Sequence, residues 1–214
     1  MYVVKEAFFT LQGEGARAGR ASVFCRFTGC NLWSGLEKDR EKSICSFCDT
    51  NFVGTNGQNG GRFITADQLA EHLAALWPYQ TRGGKRYVVF TGGEPLLQLD
   101  QALIEAMHAH DFEVAVETNG TLKAPAGIDW LCVSPKGASP LAQISGHELK
   151  LVYPQANATP DRFASMNFKH FFLQPMDLTP LGQPGTTQAR ALTYCLQHPQ
   201  WQLSLQMHKI IGIE

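Results

Sequence analysis

The sequence predicts an α/β chain, a partial and open (β/α) barrel of about six parallel strands with few helices. Three observations lead there. Short apolar runs of strand length alternate with stretches of helical periodicity, a pattern that builds right-handed crossovers and a parallel sheet. The strand-like runs are too few for eight-fold closure, and the helical stretches are fewer still. Five runs end in polar segments bearing glycine or proline, which is where parallel sheets gather their chemistry.

In chain order, the predicted strands cover 21–28, 86–91, 112–117, 130–134, 148–153, 170–174 and 202–206. The predicted helices cover 66–77, 96–110, 160–165 and 186–198. The first of these opens on Thr65 with Gln68 three residues on, the spacing of a capping box. Two insertions interrupt the alternation. Residues 31–44 carry the charge run Glu37-Lys-Asp-Arg-Glu-Lys42 and read as a short helix or flap with a solvated face. Residues 54–61, rich in Asn and Gly, read as a flexible loop. No repeat or linker divides the chain, so 1–214 is expected to be a single domain with room for a sizeable core.

Composition excludes several classes. With a formal net charge of −1 and no basic run, no nucleic-acid surface is expected. No apolar stretch is long enough to cross a bilayer, and the start lacks the charged and then apolar regions of a signal peptide. The expectation is a cytoplasmic chain without membrane or nucleic-acid partners. In that setting the six cysteines are read as reduced thiols and not as three disulfides. Cys25, Cys132 and Cys195 sit in apolar sequence and read as small buried hydrophobes.

Cys30, Cys45 and Cys48 are different. They follow the first predicted strand with fourteen and two residues between them. Three thiolates in one loop suit a soft metal centre, and a cubane cluster with three ligands keeps one iron open to another molecule. The spacing alone also fits zinc with a histidine as fourth ligand. Phe47, just before the last cysteine, either shields an aromatic ring of a cofactor or anchors the turn locally. After the next strand, Gly92-Gly93-Glu94-Pro95 allows close backbone approach to a ligand and leaves the Glu94 carboxylate to meet a cationic amine. Read bare, the same turn is an ordinary helix start with Glu favoured by the dipole.

The thiolate triplet and the Gly-Gly-Glu turn together resemble the radical S-adenosylmethionine (SAM) superfamily. There three cysteines bind a [4Fe–4S] cluster and a GGE-type turn holds the methionyl amine. The usual motif is CxxxCxxC, and the longer first gap here is read as the charged insertion. Further motifs narrow the resemblance. Phe9-Thr-Leu-Gln12-Gly13-Glu14-Gly15, Arg26, Cys45-x-x-Cys48-Asp49-Thr50, Thr91-Gly-Gly-Glu94, Ser134-Pro135-Lys136 and Gln174-Pro175-Met176-Asp177 together resemble the 7-carboxy-7-deazaguanine synthase family. The similarity runs to His208-Lys209, nearly the whole chain. That family often ends in Gly-Ile-Pro, whereas this chain ends Gly212-Ile-Glu214.

The resemblance implies a reaction. A 6-carboxy-5,6,7,8-tetrahydropterin rearranges to 7-carboxy-7-deazaguanine with loss of ammonia, using SAM, the cluster and Mg²⁺. It implies SAM-side residues Phe47, Gly93, Glu94, Asn119, Ser134, Pro135, Lys136, Gln174, Pro175, Met176 and Asp177, and Thr50 at the magnesium position. Substrate-side residues are Gln12, Gly13, Glu14, Arg26, Thr91 and His208. Glu14 can accept the paired N–H donors of an amino-pyrimidinone edge, and Arg26 suits the substrate carboxylate. The resemblance also implies a homodimer and an electron donor such as flavodoxin or ferredoxin. Three other readings leave features unexplained. A glycyl-radical activase would carry more cysteine-rich modules, a zinc module would need no Gly-Gly-Glu turn, and a simple electron carrier would offer a fourth cysteine.

Overall fold

A computed structural model describes residues 1–78, 83–178 and 186–213. Its centre is one nine-stranded sheet built from β1 (Tyr2–Leu11), β2 (Ala21–Phe27), β3 (Gly61–Phe63), β4 (Arg86–Gly92), β5 (Phe112–Thr118), β6 (Trp130–Val133), β7 (Ser145–Tyr153), β8 (Asn167–Pro175) and β9 (Trp201–Leu203). The strand order is β3-β1-β2-β4-β5-β6-β7-β8-β9. From β2 onward every neighbouring pair is parallel, while β1 joins β2 and β3 antiparallel. Six parallel strands of four to nine residues plus a three-residue β9 make the open, partial barrel that the sequence predicts.

The helices are α1 (Ala66–Leu76), α2 (Gln101–Ala109), α3 (Thr186–Gln197) and the short α4 (Met207–Ile211). Thr65 and Gln68 do form the capping box of α1. Leu69 and Leu73 of α1 and Leu103, Ile104 and Met107 of α2 are fully buried with Val23, Cys25, Phe27, Val88, Phe90, Val114 and Val116. Burial of each such side chain contributes roughly 1.5–3 kcal/mol, so this face carries the sheet's stability. Strand alternation turns Phe24, Arg26, Thr91 and Glu117 to the other face, where the cavity lies.

Several elements differ from expectation. β1 was not predicted, because a bulge between Val4 and Glu6 breaks its period-two pattern. The segment expected as the flexible loop 54–61 is bonded along β1: Gly57 N donates to Lys5 O (3.1 Å), Ala7 N to Gln58 O (2.8 Å) and Asn59 Nδ2 to Ala7 O (2.9 Å). The helix expected from 96 begins at Gln101, since Asp100 caps it through Leu103 N at 3.0 Å and Pro95–Leu97 forms a separate 3-10 turn. The segment 160–165 is likewise a 3-10 turn, Pro160–Arg162. Glu214, singled out at the C-terminus, lies outside the described residues.

Candidate active site

One cavity of about 450 Å³ opens on the face of the sheet opposite α1 and α2, a size that suits small molecules. Its wall takes in Cys30, Cys45, Phe47, Cys48 and Thr50 from the loops after β2, and Thr91 and Gly93 after β4. Asn119, Ser134 and Lys136 follow from the next two strand ends, with Gln174, Pro175, Met176 and Asp177 from the end of β8. Gln12, Gly13, Glu14, Arg26 and His208 complete it. Of the predicted site residues, Glu94 and Pro135 do not line it.

All six cysteines are free thiols. Cys25 is fully buried in the helix-side core, so it is turned away from the cavity. Cys30, Cys45 and Cys48 lie close enough to act on one another electrostatically. A hydrogen bond from Cys45 holds the Cys48 thiol down to about 6, whereas that same bond and burial push Cys45 up. Burial also raises Cys30, opposed by the N–H groups of Leu32 and Trp33 on its sulfur. Three free sulfurs facing one cavity are a soft donor set that suits a thiophilic cationic centre, and three of them fit a cubane with one open iron.

Gly92 and Gly93 have a packing reason. At Gly92 (φ 145°) a Cβ would meet Phe27 O at 2.4 Å, and at Gly93 one would meet Gly29 O at 2.1 Å and the Cys30 Cβ at 2.6 Å. The turn therefore lies directly against the backbone that carries the first cysteine. Glu94 corrects the expectation of a free carboxylate. It is fully buried and accepts from Leu96 N (2.9 Å), Thr118 Oγ1 (2.7 Å) and Asn119 N (2.7 Å). Burial raises its pKa against those three bonds. Pro135 is also buried, its carbonyl accepting from Gln155 Nε2.

The β1–β2 connection crosses the cavity face of the sheet. Ala16 N donates to Glu148 Oε2 (2.9 Å), and a Cβ at Gly15 (φ 66°) would sit 2.3 Å from Glu148 Oε1. Arg17 lies 4.1 Å over the Trp130 ring and Arg20 3.8 Å over Tyr87, both also reaching Glu113. Above them Lys150 Nζ bridges Glu14 Oε2 (2.5 Å) and Glu117 Oε2 (2.9 Å). Burial works against both partners' charges, but the Lys150 ammonium draws Glu14 down to about 2 and Glu117 with Glu14 holds Lys150 high. Gln174 and Gln206 donate to Glu14 Oε1 at 3.2 and 3.0 Å, and Gln12 donates to Glu117 at 3.3 Å. His208 presses on Gly13, where a Cβ would be 2.4 Å from its Nδ1. Arg26 pairs through Nε with Glu6 of the unpredicted strand at 2.7 Å.

Sequence reasoning missed Lys150, Glu117, Gln206 and Lys209. A signal was present for the first two: charged residues at alternate positions within otherwise apolar strands. For Gln206 and Lys209 none was, because only the fold brings them to the wall.

The chain matches the model of the radical SAM superfamily over residues 41–153, a span that takes in Cys45 and Cys48 but begins after Cys30. A 7-carboxy-7-deazaguanine synthase of Bordetella pertussis is 64% identical over 99% of each chain. The chain belongs to the 7-carboxy-7-deazaguanine synthase family. Synthases of Bradyrhizobium diazoefficiens and Caulobacter vibrioides are 61% and 59% identical, again over 99% of each chain. The fold is shared with the crystal structure of QueE from Escherichia coli, with a TM-score of 0.69 at 24% identity, covering 97% of this chain and 94% of that one. As a radical SAM chain of this family it is an enzyme that uses an iron–sulfur cluster and SAM. No helix among the described residues is long and apolar enough to cross a membrane.

Proposed function

We propose that this chain converts 6-carboxy-5,6,7,8-tetrahydropterin to 7-carboxy-7-deazaguanine with loss of ammonia, the product being the one its relatives are named for. The observation that carries the reading is one cavity walled on one side by three free thiols and on the other by the Glu14–Lys150–Glu117 network. Cys30, Cys45 and Cys48 hold the cluster, which with bound SAM supplies one-electron radical chemistry. The Gly93 backbone, Phe47, Asn119, Ser134, Lys136 and Gln174 to Asp177 form the SAM side. Glu94 contributes from behind by holding Thr118 and Asn119 in place.

On the substrate side, the Glu14 carboxylate keeps its charge at neutral pH and can accept from the amino-pyrimidinone edge. Gln174 Oε1 is buried without a partner at the same wall, an acceptor for a bound N–H. Arg26 and His208 face the substrate carboxylate and rim. Thr50 with substrate oxygens and waters would complete a Mg²⁺ site, since one hydroxyl cannot. A homodimer, a flavodoxin or ferredoxin donor and a cytoplasmic setting belong to the same proposal.

The test is an anaerobic assay of reconstituted protein with dithionite, SAM, Mg²⁺ and the carboxypterin, following 5′-deoxyadenosine and the deazaguanine by mass spectrometry. Both products are expected, abolished by Cys30→Ala and retained by Cys25→Ala. Deoxyadenosine alone would reject the substrate, and a colourless zinc-bearing protein would reject the cluster.

A further inference from the structure

The insertion between the first two cysteines forms the short helix with a solvated face that the sequence predicts, and it is also tied down. Glu37–Lys42 forms a 3-10 helix, and Arg40 within it turns back onto the ligand loop. Its Nη1 donates to Ser46 O at 3.0 Å and to Cys48 O at 2.8 Å. Its Nε lies 2.8 Å from both Glu37 carboxylate oxygens, and the guanidinium carbon sits 4.2 Å over the Trp33 ring. Trp33 is buried and meets Phe52 edge-on at 5.6 Å. Gly35 (φ 80°) comes so close that a Cβ there would be 2.4 Å from Val53 Cγ2. The insertion is thus tied to the chain on the far side of Cys48, and Arg40 is stacked on one of the tying residues, Trp33.

A short gap between ligands restrains them through the chain itself. A fourteen-residue gap removes that restraint and raises the entropy of bringing the ligands together. Something else must fix the Cys45–Cys48 turn. We infer that Arg40 is a positioning residue for the cluster ligands, its guanidinium clamping the carbonyls of Ser46 and Cys48 while Trp33 holds its plane. The inference rests on Cys30, Cys45 and Cys48 being the ligands. The Glu37 pair does not carry it, since Glu37 is 77% exposed and such pairs contribute little. The clamp also places a permanent cation on the backbone of Cys48 and its neighbour Ser46, which favours the reduced, more negative cluster. Lysine cannot reproduce it, because a point ammonium lacks the planar fork that serves two carbonyls and a ring face together.

The test compares anaerobically purified, cluster-loaded wild type with Arg40→Met, Arg40→Lys and Glu37→Gln, taking Cys45→Ala as control. Iron and sulfide per chain, the rate of iron loss to a chelator, and the midpoint potential from EPR-monitored reduction are measured beside the melting temperature. Arg40→Met is expected to lose iron about tenfold faster, the scale of lost charge-assisted hydrogen bonds. Its potential should fall by the equivalent of an about threefold change in the oxidised-to-reduced ratio, the scale of a partly exposed charge interaction. Arg40→Lys should fall between, and Glu37→Gln should follow the wild type. Wild-type iron loss in Arg40→Met overturns the inference, and so does a lowered melting temperature with an unchanged potential and EPR signature. If Arg40→Met fails to fold, Arg40→Lys decides, with wild-type iron loss counting against the clamp. Wild type holding no more iron than Cys45→Ala would instead overturn the ligand assignment itself.

Discussion

Lys150 carries its charge among Glu14, Glu117 and Glu148, and the balance between these groups decides much of the site's behaviour. Lys150→Met leaves two half-buried carboxylates without a counter-charge. We expect a loss of about 3–5 kcal/mol, read from urea denaturation. The pH dependence has a definite sign. The folded pKa of Glu14, about 2, lies below its ordinary 4.5, so the native state binds fewer protons. Its contribution is full above pH 4.5 and is lost as pH falls toward 2. Lys150→Met should remove that acid-side decline, and an unchanged profile would show that the pair is not coupled. Glu148 has the opposite sign, because burial and then Glu117 raise it. It weakens the fold as pH rises past its ordinary value. Glu148→Gln should therefore be more stable than wild type at pH 7 and lose that advantage at pH 4. An advantage that grew on acidification would contradict this account. Of these residues the sequence marked Glu14 alone, through its motif. Lys150 and Glu148 are legible only as charges alternating along an apolar strand, a pattern equally consistent with a wet face.

Among the elements, the turn after β4 shows how packing and function meet. Gly93→Ala places a methyl against Gly29 O, a backbone atom that cannot give way by rotating. We expect about 1–3 kcal/mol of lost stability, with reduced iron uptake because the Gly29–Cys30 backbone must shift. Gly61→Ala, whose nearest contacts of 3.5–3.6 Å are ordinary, should be near neutral in both measurements. Equal losses in the two variants would separate the turn from cluster loading. The parallel strands were legible as elements because they are buried and apolar. β1 was not, since its bulge breaks the alternation. The start of α2 was misplaced because Asp100 competes for the cap.

In the whole molecule, β3 and β9 end the sheet, and the strand order leaves the barrel open between them. The gap is bridged by two segments distant in sequence. Gln12 to Arg20 reaches β5, β7 and β8 from one side, and α4 with its approach returns from the other. Met207 N donates to Gly13 O at 3.0 Å, and Lys209 ties Asp49 (2.7 Å) to Asp177 (2.8 Å). Deleting 207–214 should leave the sheet and iron content near wild type while turnover falls by about tenfold or more, since the substrate wall is no longer held. Retained turnover would show the bridge to be dispensable. The sequence by itself determined the parallel strands, the common loop of Cys30, Cys45 and Cys48 and the family, because these are local: apolar runs, turn glycines and short motifs. The tertiary structure alone decided that Glu94 faces inward, that Glu6 and Lys150 meet Arg26 and Glu14, and that Arg40 reaches the Cys45–Cys48 turn. Those contacts join residues whose side-chain directions depend on register and crossing geometry, which no short stretch of chain encodes.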